Sequence, residues 1–332
     1  MKWPPTNGRP LYLIYHTVAK RPPSIDDAVL VHLGQISEVR EINLSDISLD
    51  YTFAFKDNSW TLRSRKGEVV LSHKAKVVYW PLYFDLVNLG LSKPDFDSEF
   101  SRREASAVIK FFEQWVEEHC DTFVAPSSAR RSVNKPVFYM LCEKHGLLHA
   151  GHALTNALSS FERNERFDVV LKRVSECPLV APNFEAPIIR ASRETVLADA
   201  DDGPVLLEQV LTGSERRAYV SPTRAVFFEA AKNMGAPTAE LDVSPPPGAS
   251  FLGKPDTYFK CEPSLLEYQN VCAARDIFAA RFAVFDYFIA HNSIWFLDAS
   301  LNETWSWMQQ ECREAVDHLV VESIADWLYT DQ

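Results

Sequence analysis

The sequence has no run of about 18 consecutive apolar residues, so nothing in it reads as a membrane-spanning helix. Its opening, MKWPPTNGRP, lacks the apolar centre of a signal peptide, and the chain reads as cytoplasmic with no lipid anchor. Cysteine is scarce and scattered. The six thiols at 120, 142, 177, 261, 272 and 312 form no C-x-x-C pair and no zinc-ligand spacing, so they read as reduced, mostly buried side chains. Neither G-x-S-x-G nor H-E-x-x-H occurs, which removes the esterase elbow and the zinc-protease helix. Positive charge is also short: 34 Lys and Arg stand against 45 Asp and Glu, a formal net charge of −11. That balance argues against generic nucleic-acid binding, and it means that any anionic ligand needs a local basic cluster. No internal repeat and no low-complexity tract is found.

What is there is ordinary globular material, 332 residues of which 46% are hydrophobic and 24% charged, enough for one large domain or two to three smaller ones. PLYLIYHT and AKVVYWPLYF read as strands, separated by DYTFAFKDNSWTLRSRKGEVVLS, whose alternation predicts a β-meander. DSEFSRREASAVIKFFEQWVEEHCD places Ala107, Val108, Phe111, Phe112 and Trp115 at helical spacing. Together these predict an N-terminal α/β domain over 1–125. NKPVFYMLCEKHGLL is a helix with Pro136 in its first turn and Gly146 as its stop. GHALTNALSSF, FDVVLKRV and APIIRAS predict short strands and turns. PVLLEQVLTGSERRAYVSPTRAVFFEAA reads as strand, loop, strand, turn, strand. LDVSPPPGASFLGKPDTYFKCEPS is a proline-rich surface excursion, and SLLEYQNVCAARDIFAARF and QQECREAVDHLVVESIADWL are helices.

Three stretches look like functional motifs and are weaker than they look. GASFLGKP is one residue short of a phosphate loop, but Pro255 replaces the required hydroxyl and pushes Lys254 away from helical geometry. HGLLHAGH gathers His145, His149 and His152, but Gly146 and Gly151 break the helix that would align them as metal ligands, so they read as loop histidines. SWTLRSRKGE is basic with one tryptophan, and fits the polar face and turn of a hairpin better than a nucleic-acid patch.

The stretch AVFDYFIAHNSIWFLDAS carries the chemistry. Two apolar runs flank HNS and each holds one aspartate, a hairpin pattern. With His291, Asn292 and Ser293 as a three-residue loop, residue 290 faces 294, 288 faces 296, and Asp286 faces Asp298. A two-residue loop would slip the pairing by one and send the acids to opposite faces. Like charges directly opposite one another are destabilising, and a bound cation or a shared proton would resolve the conflict. Two solvent-facing acids on an edge hairpin are the competing reading.

Other charged residues precede this hairpin in order: Lys135 at a helix start, Lys172 in VVLKRV, Glu208 in VLLEQVL, and Glu215 with Arg217 in SERRAYV. Lysine at the end of an apolar strand is costly unless its ammonium meets an anion. Two lysines, an acid on a hinge-like strand, an arginine and two metal-type carboxylates resemble the ATP-grasp ligase layout. The local strings resemble one branch of it, the graspetide synthetases, or ATP-grasp maturases of ribosomal peptides, of which microviridin ligases are examples. APSSARRSVNKPVFYMLCEKHGLLHAGHALTN is similar to that family's Arg-rich turn, Lys-bearing helix and exit strand. LLEQVLTGSERRAYV is similar to its hinge and acid-x-Arg strand, and FAVFDYFIAHNSIWFLDASLNETWSWMQQ to its two Asp/Glu-bearing strands.

The resemblance implies an α/β (α+β) ATP-grasp fold with an N-terminal pre-ATP-grasp domain over 1–125. A small central subdomain would span 126–203, and an antiparallel-sheet subdomain with the metal site 204–332. It implies that Lys135 and Lys172 contact ATP phosphates and that the strand of Glu208, Gln209 and Val210 passes the adenine, with its backbone reading the base. Glu215 joins the nucleotide-binding set. Arg217, with Lys172, would serve catalysis at the γ-phosphate and acyl-phosphate. Asp286 and Asp298 would hold Mg²⁺, with Ser300 and Asn302 completing the metal set. The implied partner is a precursor peptide with leader and core; nucleic acid and membrane are not implied, and a homodimer is left open. The family's Glu-x-Asn pair is Asp298-Ala299-Ser300 here, the loop VSECPLVAPNFEAP lacks glycine, and YWPLYF lacks the family's arginines. The implied reaction is ATP-dependent ligation of a peptide side-chain carboxylate to a hydroxyl or amine. Two other readings stand beside it: a non-catalytic ATP-grasp protein that binds peptide or nucleotide, and a ligase for a free amino acid or small metabolite.

Overall fold

The computed structural model describes residues 10–16, 27–44, 52–64, 67–81, 97–132, 134–155, 169–173, 189–191, 205–209, 211, 213–230, 258–301, 305 and 308–330. The first apolar run forms β1 (Leu11–His16), followed by α1 (Asp27–Ile36) and β2 (Val39–Asn43), a parallel crossover unit. A three-stranded antiparallel meander follows: β3 (Thr52–Lys56), β4 (Ser59–Ser64) and β5 (Gly67–Leu71). Asp57 and Asn58 both take positive φ in its first turn, where Asn and Asp carry least strain. The Asn58 side chain also accepts from the Trp115 indole at 2.9 Å. Arg63 pairs with Glu68 across the second turn, so the basic stretch here is hairpin surface.

Strand β6 (Lys76–Pro81) returns to β1, and α2 (Asp97–His119) leads into the short β7 (Asp121–Thr122), completing a parallel sheet in the order β2-β1-β6-β7. Two short helices follow, α3 (Pro126–Ser132) and α4 (Lys135–Lys144). Asn134 caps α4 by accepting from the Val137 amide, Pro136 sits in the first turn, and Gly146 ends the helix region at φ 71°. A second sheet, order β10-β9-β11-β8, is built from β8 (His152–Thr155), β9 (Val169–Arg173), β10 (Ile189–Ala191) and β11 (Val205–Gln209).

The third sheet holds β12 (Ser214–Val220), β13 (Ala225–Ala230), β14 (Tyr258–Cys261), β15 (Ala283–Ala290) and β16 (Ser293–Ser300), in the order β14-β13-β12-β15-β16 and wholly antiparallel. Helix α5 (Leu265–Ile277) follows β14, and α6 (Gln310–Tyr329) follows β16. Strand β14 corrects the reading of residues 241–264 as a surface excursion throughout: its last part is a sheet edge, and Tyr258 within it is buried. Helix α1 and strand β2 also lie outside the sequence-based expectation.

Arginine alternates across β12. Arg216 points to α5, where it bridges both carboxylate oxygens of Glu267 (2.9 and 2.8 Å) and reaches Glu229 at 2.9 Å. Glu267 also accepts from the Tyr287 hydroxyl at 2.5 Å while closing the capping box with Ser264. The helix is therefore pinned beneath the sheet by a largely buried ionic group. Gly213, just before β12, comes so close to β15 that an added Cβ would lie 2.2 Å from the Ile289 carbonyl oxygen. Only glycine fits that approach.

Aromatic packing joins the parallel sheet to the third sheet. Trp80 of β6 packs 5.3 Å from Phe282 and edge-on to Trp305 at 5.8 Å. Trp327 of α6 donates to Asp121 at 3.1 Å and lies 5.0 Å beneath the Lys76 ammonium. No helix among the described residues is long and apolar enough to cross a membrane, and none of the described cysteines is paired.

Candidate functional site

The expected loop of three residues is a turn of two. His291 and Asn292 both take positive φ (51° and 61°), and Ala290 pairs directly with Ser293. That turn by itself puts the acids on opposite faces. A β-bulge corrects it: Tyr287 pairs with Phe296 but Asp286 pairs with Asp298, so Leu297 is the extra residue. Bulges of this kind re-aim a strand's side chains next to functional sites. Asp286 and Asp298 face each other by a route that spacing alone does not reveal.

Each acid has its own cation. Arg217, paired with Asp286 across β12 and β15, forks onto it through Nε and Nη2, both at 2.6 Å. Lys135, at the first position of α4, places Nζ 3.1 Å from Asp298 Oδ2, while Asp298 Oδ1 accepts from the Ala299 amide at 2.8 Å. Lys135 is 5% and Arg217 6% exposed. Two carboxylates and two cations cancel locally, which answers the like-charge conflict without a shared proton. Ser300 follows two residues beyond Asp298 on the same strand and is buried.

Tyr258 of β14, absent from the sequence-based site, completes this corner. Its hydroxyl donates to Glu215 at 3.1 Å, and the Arg217 guanidinium lies 6.0 Å from its ring centre. Burial, and then the negative charges of Asp286 and Glu215, push its phenol well above the ordinary value. Near neutral pH it is therefore a protonated donor.

On the opposite side stands Glu208 of β11, 2% exposed. The Tyr139 hydroxyl donates to Glu208 Oε1 at 2.7 Å and to the Leu297 carbonyl at 2.8 Å. Tyr139 is one turn beyond Lys135 on α4. Burial, followed by the Glu208 charge, raises its phenol far above the usual range. The Gln209 amide donates to Gly151 at 2.7 Å, and residues 148–150 pair with Phe296, so the second and third sheets meet here.

His149 and His152, expected as plain loop histidines, pack around Tyr139: His149 stacks on its ring with centres 5.1 Å apart, and His152, which opens strand β8, lies tilted at 4.6 Å. Burial and the neighbouring His149 hold His152 below its ordinary value. His145, which caps the end of α4, takes no part in that stack.

The structure thus brings together Lys135, Glu208, Gln209, Glu215, Arg217, Asp286, Asp298 and Ser300 around the junction of α4, β11, β12 and the hairpin. Lys172 lies in β9, its backbone opposite Leu206 of β11. Val210, Asn302 and the phosphate-loop look-alike with Lys254 fall outside the described residues. Among the described residues no group of three or more His, Cys, Asp and Glu side chains converges as a metal cage. Two facing carboxylates nevertheless fit Mg²⁺, which takes one or two carboxylates and completes its shell with phosphate oxygens and water.

No protein-family model matches the chain, and no curated protein matches it in sequence. Solved structures do match it in fold. The RiPP-associated ATP-grasp ligase of Chryseobacterium gregarium, in complex with ADP and a leader and core peptide, superposes with a TM-score of 0.70 at 17% identity, covering 98% of this chain and 97% of that one. The macrocyclase MdnC from Microcystis aeruginosa, bound with precursor peptide MdnA, gives 0.70 at 11% identity, covering 96% and 99%. The D-alanine–D-alanine ligase of Bacillus anthracis, complexed with ATP, is more distant at 0.52 and 9%, covering 97% and 96%. Along nearly its entire length the chain has the ATP-grasp fold, in the arrangement seen in ligases of ribosomal peptides.

Proposed function

We propose that the protein is an ATP-dependent ligase that activates a side-chain carboxylate of a ribosomal precursor peptide and joins it to a hydroxyl or amine of the same peptide. The observation that carries this reading is the facing pair Asp286 and Asp298, each held by a cation, Arg217 and Lys135, on an ATP-grasp fold. The peptide substrate is inferred from the fold neighbours, which hold leader, core or precursor peptides.

The residues divide the work. Lys135 and Lys172 hold the ATP phosphates. Glu208 and Gln209 on β11, and Val210 after them in sequence, meet the base. Arg217 stabilises the charge spread over the transferring phosphoryl group, where fixed positive charge contributes most. Its planar fork suits a carboxylate and a phosphoryl group equally, so it exchanges Asp286 for phosphate without being stranded. Asp286 and Asp298, joined by Ser300 and Asn302, would hold Mg²⁺, which supplies positive charge against the phosphates when bound. The peptide carboxylate takes the γ-phosphoryl group and ADP leaves; a hydroxyl or amine then attacks the acyl-phosphate, releasing phosphate and forming an ω-ester or ω-amide. The three units 1–125, 126–203 and 204–332 are the proposed domains.

The test combines protein, ATP, Mg²⁺ and a synthetic peptide containing Asp or Glu with Thr, Ser or Lys. Expected are ADP release and a peptide lighter by the mass of one water per cross-link. Binding of Mg·ADP with no ADP release from any such peptide would favour a non-catalytic binder. Turnover with free amino acids alone would favour a small-molecule ligase. Lys172→Ala is expected to weaken ATP binding at least about tenfold, the scale of one charge-assisted contact. Lys254→Ala should leave the affinity unchanged.

A further inference from the structure

Tyr139 touches three elements that the proposed reaction needs in register. Its own helix, α4, begins with Lys135. Its hydroxyl meets Glu208 on β11 at 2.7 Å and the Leu297 carbonyl on β16 at 2.8 Å. Leu297 is the residue whose insertion turns Asp298 toward Asp286. A bulge residue sits outside the regular ladder, so its carbonyl needs a donor from elsewhere, and Tyr139 is fully buried at that point. The phenol has one proton and two acceptors. A carboxylate is the stronger acceptor of the two.

We propose that Tyr139 is a positioning residue that couples the base side of the site to the metal side by moving its hydrogen bond between Glu208 and the Leu297 carbonyl. Before a ligand binds, the carboxylate holds the larger share of the proton and the bulge is less firmly fixed. A nucleoside that offers a hydroxyl or amino donor to Glu208 competes for the carboxylate. The phenol then turns to Leu297, fixes the bulge, and sets Asp298 for the cation. Base binding and metal binding thereby strengthen each other, and by linkage the effect is reciprocal. This inference rests on the ligase reading above.

The coupling is measurable without turnover. The affinity for ADP is determined calorimetrically in Mg²⁺ and again in EDTA, and the ratio of the two gives the metal–nucleotide coupling. Tyr139→Phe keeps the ring and removes the proton. The ratio is expected to fall by roughly tenfold, the lower end of what outer-shell partners of metal ligands contribute. A purely structural tyrosine would lower stability, or both affinities equally, and leave the ratio alone; an unchanged ratio overturns the proposal.

Wild-type protein supplies a second measurement should Tyr139→Phe fail to fold. Saturating adenosine, which carries no phosphate, should slow amide exchange at residues 296–299, and unaltered exchange there counts against Tyr139. If wild type binds neither ADP nor Mg·ADP, the ligase reading falls together with this inference. If it binds both and only the ratio is insensitive to Tyr139→Phe, this inference falls alone.

Discussion

Asp286→Asn is expected to abolish turnover and to lower the stability of the ligand-free protein. Like-charge repulsion considered alone gives the opposite sign, because removing one of two facing acids relieves it. The fork from Arg217 reverses that expectation. Arg217 is 6% exposed and makes two 2.6 Å contacts to Asp286, so neutralising the acid leaves a buried guanidinium with a weaker acceptor. Hydrogen bonds to charged groups contribute about 1.5–3 kcal/mol, and a loss of that size should appear in denaturant melts recorded in EDTA. A double-mutant cycle with Arg217→Met isolates the pair from the rest of the site. Melts in which Asp286→Asn equals or exceeds wild type would mean that repulsion dominates and that the fork is not formed in the free protein.

Arg216→Ala should have the largest effect on stability. Its neighbour Arg217 serves the site; Arg216 faces the other way and neutralises Glu267, which is 1% exposed. Truncating the arginine leaves that carboxylate charged and buried with only the Tyr287 hydroxyl and local backbone to hold it. Breaking a buried pair on one side costs about 3–5 kcal/mol, against under about 1 kcal/mol for a surface pair, so a urea melt separates the two cases. Affinity for Mg·ADP in the fraction that remains folded should stay within a few-fold of wild type, because Arg216 touches none of the proposed ligand-binding groups. One residue apart in sequence, the two arginines face opposite sides of β12 and pair with different carboxylates.

The sequence made the local elements readable where two cues agreed. Pro136 and Gly146 bracket α4 because a first-turn proline and a positive-φ stop both act through local backbone geometry. The alternation in β15 and β16 marks a hairpin for the same reason. What was hidden depends on contacts distant in sequence. The bulge at Leu297 leaves no compositional trace, since leucine is an ordinary strand residue. Tyr258 stood at the end of a proline-rich stretch, and its burial follows from β14 joining the edge of the third sheet. Tyr139 is a core aromatic by burial, and its hydrogen bonds depend on Glu208 and Leu297, 69 and 158 residues away. Helix α1 was missed because DAVLVHLGQI is apolar on most sides, a pattern that suits a buried strand as well as a helix.

A hairpin obeys a rule of parity. In a regular ladder the count of residues between two facing positions is even when the turn has two residues and odd when it has three. Here the turn is one residue short of the count that brings the aspartates together, and the bulge restores it. An inserted residue in the turn combined with deletion of Leu297 would preserve the facing acids, because the odd residue then sits in the turn instead of in the strand. Homologous chains are free to drift along that compensated path, so hairpins that differ in turn length can carry the same pair of carboxylates. The drift would still remove the one carbonyl that reaches Tyr139. Where the odd residue sits, and not only that it exists, ties the acids to the rest of the molecule.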